Sequence, residues 1–157
     1  MNFVYNDGGR SNYFKATGVG DCAVRAIAIA AELDYKKVYD DLKELNFGRS
    51  CRNGTPKTVD SKYLKRLGWV KLKNICGIGV GIRYHLNDYD LKPFFKKYPR
   101  MVLQVSKHLT AIVNGELNDT YDCSRDGERA IYAIWVPKDQ VAEEDSVTVK
   151  KKRRFVL

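Results

Sequence analysis

Histidine is the scarcest chemistry-bearing residue of the 157-residue chain, with only His85 and His108 beside four cysteines, four prolines and two methionines. The cysteines, Cys22, Cys51, Cys76 and Cys123, are widely scattered and include no Cys-x-x-Cys pair. A metal site is therefore not expected, and the four read as thiols. No apolar run approaches the roughly 18 residues that cross a bilayer. The first ten residues lack the charged-then-apolar layout of a signal peptide, so a cytoplasmic setting with no membrane partner is expected. Gly77, Gly79 and Gly81 do not sit between a strand and the start of a helix, which excludes a dinucleotide fingerprint, and no cofactor is expected.

What is present is a globular composition. Hydrophobic residues make up 44% and aromatics 11% of the chain, too apolar for a disordered segment. The length suits one domain over 1–145 followed by a basic tail over 146–157. Lys150, Lys151, Lys152, Arg153 and Arg154 supply five of the nine net positive charges, leaving about four for the rest. Such a run can hold nucleic acid or an acidic partner by counterion release, and is also the common form of a solvated, solubilising end.

Residues 1–20 are rich in Gly, Asn, Ser and Thr and predict an irregular lead-in. Asp21 is placed to cap a helix over 22–33 whose apolar residues run nearly all the way round, so that helix is expected to be buried. Asp34 is placed to cap a surface helix to residue 45, with Val38, Leu42 and Leu45 in one stripe. A loop over 46–56 leads to a short packing helix over 59–67 that ends at Gly68. Residues 69–75 alternate like a half-exposed strand, and 90–98 predict a helix with Pro93 in its first turn. Four strand-like runs follow, over 101–105, 109–113, 117–121 and 130–136. Helices first and strands afterwards predict an α+β fold, with the helix that carries Cys22 packed on a C-terminal antiparallel sheet.

A cysteine at the first position of a buried helix has a chemical use, because the free N–H groups and partial positive charge there favour a thiolate. The Gly18–Val19–Gly20–Asp21 turn brings further backbone N–H groups nearby, suited to an oxyanion. A thiolate nucleophile needs a base. His108 opens the strand Leu109-Thr-Ala-Ile-Val113, which runs into Asn114-Gly115, the strongest two-residue hairpin signal. That turn pairs Val113 with Glu116, sets Thr110 opposite Asp119, and places Asp119 diagonal to His108. Asp119 can then orient the imidazole; a one-residue slip would give that part to Asp122. His85, in a polar stretch with aromatic neighbours, suits the surface better than the role of base.

The Gly20-Asp-Cys-Ala-Val-Arg-Ala-Ile27 segment resembles the nucleophile box of the papain-like cysteine peptidases, in particular that of the OTU deubiquitinases. The His108-Leu-Thr-Ala-Ile-Val-Asn-Gly strand and turn, with Asp119-Thr-Tyr beyond, resembles the histidine hairpin of papain-like and bacteriocin-processing peptidases. The chain also looks like an uncharacterised group of short bacterial and phage proteins that share a Cys-x-x-Arg-Ala helix and a His-Leu-x-Ala strand. The resemblance implies a papain-like fold, a Cys22–His108–Asp119 triad and attack on an amide of a protein or peptide through a thioester, by a peptidase, isopeptidase or acyltransferase. Papain-like enzymes carry a Gln before the nucleophile to complete the oxyanion hole; here Ala16 and Thr17 stand in that region, and Asn12, Gly20 and Asp21 are the candidates for oxyanion or substrate binding. The other expectation is a non-catalytic papain-like binding protein, including a phage inhibitor, whose basic tail and ten tyrosines engage nucleic acid or a host protein.

Overall fold

The computed structural model describes residues 1–15, 19–72 and 84–146, so Cys76, the glycine series from Gly77 to Gly81 and the basic tail lie outside the described residues. Three helices come first: α1 (Cys22–Ala31), α2 (Tyr35–Leu45) and α3 (Lys57–Arg66). The short helices α4 (Asp88–Phe95) and α5 (Glu143–Ser146) come later. The strands are β1 (Phe3–Tyr5), β2 (Trp69–Lys71), β3 (Arg100–Val105), β4 (His108–Val113), β5 (Glu116–Asp119) and β6 (Ile131–Pro137). They form one six-stranded sheet in the order β1-β5-β4-β3-β6-β2, an α+β arrangement.

The lead-in is not irregular throughout, and the sheet is mixed rather than antiparallel. Phe3–Tyr5 form β1, which pairs parallel with β5, Phe3 opposite Leu117 and Tyr5 opposite Asp119. Every other strand pair is antiparallel. α4 starts two residues earlier than predicted, with the Asn87 side chain accepting from the Asp90 N–H at 2.9 Å, so Pro93 falls inside the helix instead of in its first turn. Among the described residues no helix is long and apolar enough to cross a membrane.

The sheet separates two apolar cores. On one face α1, α2 and α3 pack against Val102, Leu109, Ala111, Ala133 and Trp135. On the other, Met101, Leu103, Val105, Ile112, Ile131 and Ile134 pack with Leu91, Phe94 and Tyr98. The alternation along β3, with 101, 103 and 105 in one core and 102 in the other, is the two-residue period of a strand buried on both sides. α1 is buried from Ala23 to Ala30, as its all-round apolar sequence predicts, and each fully buried Val or Ile contributes about 1.5–3 kcal/mol. It stops at Ala31 because Glu32 takes a left-handed φ of 55°. Four of the tyrosines, Tyr35, Tyr39, Tyr63 and Tyr98, are in the cores and out of reach of any partner.

Candidate active site

Cys22 is the first residue of α1 and is half-buried. Asp21 holds the N-cap position, but its side chain makes no capping bond. It turns inward instead, 1% exposed, to form ion pairs with the Arg25 and Arg10 guanidiniums, the latter at 3.3 Å, and to accept from the Tyr35 hydroxyl at 2.5 Å. Two buried cations and a hydroxyl satisfy a carboxylate that would otherwise be too costly to bury. The first N–H groups of α1, which have no intrahelical acceptor, are therefore left without a side-chain cap beside the Cys22 thiol.

The histidine arrives by way of the hairpin. Asn114 and Gly115 both take positive φ, 50° and 78°, as a two-residue turn of matching twist requires. The register is the predicted one: Val113 opposite Glu116, Ile112 opposite Leu117 and Ala111 opposite Asn118. Beyond the ladder, Asp119 Oδ2 lies 2.7 Å from His108 Nε2, and the Tyr121 ring lies 5.3 Å from the imidazole. Asp122 points elsewhere, its carboxylate accepting from the Ser124 N–H at 2.9 Å.

With Nε2 held by Asp119, Nδ1 is the nitrogen left to face a thiol, and the Cys123 and Cys22 thiols both lie near enough to the imidazole to favour its charged form. Burial works against a charged imidazole here. The Asp119 bond, the two thiols and the Asp119 charge outweigh it and hold His108 well above its usual pKa. Burial likewise disfavours the Asp119 carboxylate, yet the His108 bond and charge and the Thr120 N–H bring it below the usual range. The pair is thus an imidazolium held by a carboxylate. Asp119 is further tied to α1 through Arg25, whose Nη2 lies 3.4 Å from its Oδ1.

Cys22 and His108 open onto a cleft of about 160 Å³, whose walls also include Ala23, Trp135, Leu64 and Gln104. Its far side is the Gly54–Thr55 turn and the start of α3, with Asp60 and Ser61, and its rim carries the exposed Lys57 and Lys107. Gly20, Asp21 and Asn12 do not line it. Gly20 packs against the backbone of Arg52, Asn12 is exposed in the short turn Arg10–Asn12, and Asp21 is occupied as described. His85 lies apart, 3.4 Å from Asp90.

Three residues escape the sequence reading. Arg25 ties both buried aspartates together; its signal is a lone cation on an otherwise apolar helix, four residues after an acid. Asp60 is 7% exposed, and its signal is a polar residue on the apolar stripe of α3 that holds Tyr63 and Leu64. Cys123, buried beside His108, has no signal in the sequence. His108, Asp119 and Cys123 bring one potential metal-ligating atom each to within 4.8 Å of one another. His108 Nε2 and Asp119 Oδ2 already bond each other at 2.7 Å. Comparison of the chain with protein-family models, with curated proteins and with solved structures finds no match.

Proposed function

We propose that the chain is a papain-like thiol enzyme that cleaves or transfers the acyl group of a peptide or isopeptide amide, with Cys22 as nucleophile, His108 as acid and base, and Asp119 as the residue that positions His108. The observation that carries this is the His108 Nε2–Asp119 bond of 2.7 Å, with Cys22, at the start of α1, lining the same cleft as that imidazole. The Cys22 thiolate, whose proton already rests on His108, attacks the carbonyl carbon, and the His108 imidazolium gives that proton to the nitrogen of the departing amine as the C–N bond breaks. A thioester remains on Cys22. Water or an amine then attacks it and gives a proton to the now neutral His108, and the acid or the new amide is released as Cys22 departs as the thiolate, restoring the thiolate–imidazolium pair. The uncapped N–H groups at the start of α1 are the donors for the oxyanion, a part that Asp21 cannot take because a carboxylate has no proton to give. Thiol chemistry of this kind suits a reducing compartment such as the cytoplasm.

The test is an activated ester. p-Nitrophenyl acetate should give a burst of p-nitrophenol with one acetyl group on Cys22, located by peptide mass spectrometry, and Cys22→Ser and His108→Ala should lack both. Acetylation confined to lysines, with no burst, would leave a papain-like scaffold that binds without catalysing; salt-sensitive nucleic-acid binding that persists in Cys22→Ser and disappears on removal of residues 147–157 would then define it.

A further inference from the structure

Asp60 is a buried acid that has no cation beside it among the described residues. Among the described residues it makes no ion pair, and its one hydrogen bond is from the Thr55 hydroxyl to Oδ1. Among the described residues the second oxygen has no partner either, although the side chain is nine-tenths buried and lines the cleft shared by Cys22 and His108. Every other strongly buried aspartate in the structure is matched: Asp21 by two arginines, Asp119 by His108 and Arg25, and Asp145 by Lys97 and Tyr98. A carboxylate kept in a low-dielectric site without a counter-charge is costly to the fold, and clefts are where such costs go with function.

The charges that face Asp60 are few. The Lys57 and Lys107 ammoniums are exposed on the rim, and the imidazolium of His108 is already paired with Asp119. Behind Asp60 lies the buried Cys51 thiol, which feels the Asp60 charge and carries none to offset it. The cleft itself is smaller than the roughly 300–1,000 Å³ of sites that enclose a whole small ligand, so it suits one side chain of a longer substrate.

We infer that Asp60 is a specificity-determining residue, the acceptor for the cationic side chain of a lysine or arginine next to the amide bond that Cys22 attacks. This inference rests on the thiol acyl chemistry proposed for Cys22. The incoming ammonium or guanidinium supplies the missing counter-charge, and Thr55 holds the carboxylate oriented toward it. Burial pushes the Asp60 carboxyl up to about 7 against the opposing Thr55 bond, so recognition strengthens as pH rises from about 6 to 8 and the acid ionises.

Charge-matched thiol reagents test this without knowledge of the natural substrate. Cys22 in the full chain is labelled with methyl, 2-aminoethyl or 2-sulfonatoethyl methanethiosulfonate; the thiolate displaces methanesulfinate to form a mixed disulfide, and rates are read on the Cys22 peptide. The ratio of cationic to neutral labelling should be about tenfold higher in wild type than in Asp60→Asn at pH 8, the size expected of one partly screened charge pair. Within wild type the ratio should fall toward that of the variant as pH drops to about 6, an arm that holds even if Asp60→Asn folds poorly. A ratio that is the same in both proteins and flat with pH, while the neutral reagent still labels Cys22, overturns the inference alone; so does preference for the anionic reagent, which would give the cleft to Lys57 and Lys107. No labelling of Cys22 by any reagent overturns the nucleophile and the inference together.

Discussion

Asp60→Asn is expected to stabilise the protein at neutral and alkaline pH, an unusual outcome for a substitution in a core. Burial pushes the folded carboxyl up to about 7 from the ordinary aspartate value of 3.8, because it disfavours the charge more than the Thr55 bond favours it. Between those two values the unfolded chain releases the proton while the folded protein keeps it, so stability contributed by this group falls as pH rises from about 4 and levels off above about 7. Each pH unit of that gap corresponds to about 1.4 kcal/mol, so the ionised acid costs the fold about 4 kcal/mol at pH 8, of which about 3 kcal/mol accrues above pH 5. Asn is nearly the same shape and keeps an oxygen for the Thr55 hydroxyl, so the substitution removes the charge while sparing the packing. Urea denaturation of both proteins at pH 5 and pH 8 isolates the effect, because every other titrating group cancels in the comparison. The variant should gain about 3 kcal/mol on wild type between the two pH values, or about 6–12 °C in Tm for a chain of this size. A difference that does not change with pH would refute the idea that Asp60 is a buried, unpaired acid.

Arg25→Met removes the cation that joins Asp21 to Asp119 and leaves buried carboxylate charge uncompensated, so it should cost about 3–5 kcal/mol in urea denaturation. Lys37→Ala, which breaks only an exposed pair with Asp41, should cost under about 0.5 kcal/mol in the same assay. Asp119→Asn keeps a hydrogen-bond acceptor for His108 but loses the charge that favours the imidazolium, and iodoacetamide alkylation of Cys22 below pH 7 should slow by about tenfold or more. Asp122→Asn, which touches only the Ser124 turn, should leave that rate within about twofold.

Those residues also show what a sequence can carry. The choice of Asp119 over Asp122 as the neighbour of His108 is legible because Asn114-Gly115 fixes a two-residue turn, and side-chain alternation then dictates which acid faces the imidazole. The burial of α1 is legible for a similar reason, since its apolar residues leave no polar face. β1 is not: three residues have no period to read, and their partner lies more than a hundred residues away in β5. The part of Asp21 is misread at the sequence level because an acid before a helix suits a cap; the structure spends it on Arg10, Arg25 and Tyr35, partners set by tertiary packing. Asp60 is hidden by its surroundings, since whether a polar residue on an apolar stripe faces a cleft or a neighbouring chain segment depends on what packs across from it.

The most direct measurement is the rate of iodoacetamide alkylation at each cysteine as a function of pH, read by peptide mass spectrometry in wild type and in His108→Ala. Cys22 should react fastest, keep its advantage below pH 7, and lose it without His108. Cys51 should stay slow throughout, because burial and the nearby Asp60 charge push its thiol up to about 11. A Cys22 that is inert, that reacts no faster than Cys51 and Cys123, or that is indifferent to His108 would contradict the thiol–imidazole pair on which the proposed chemistry depends.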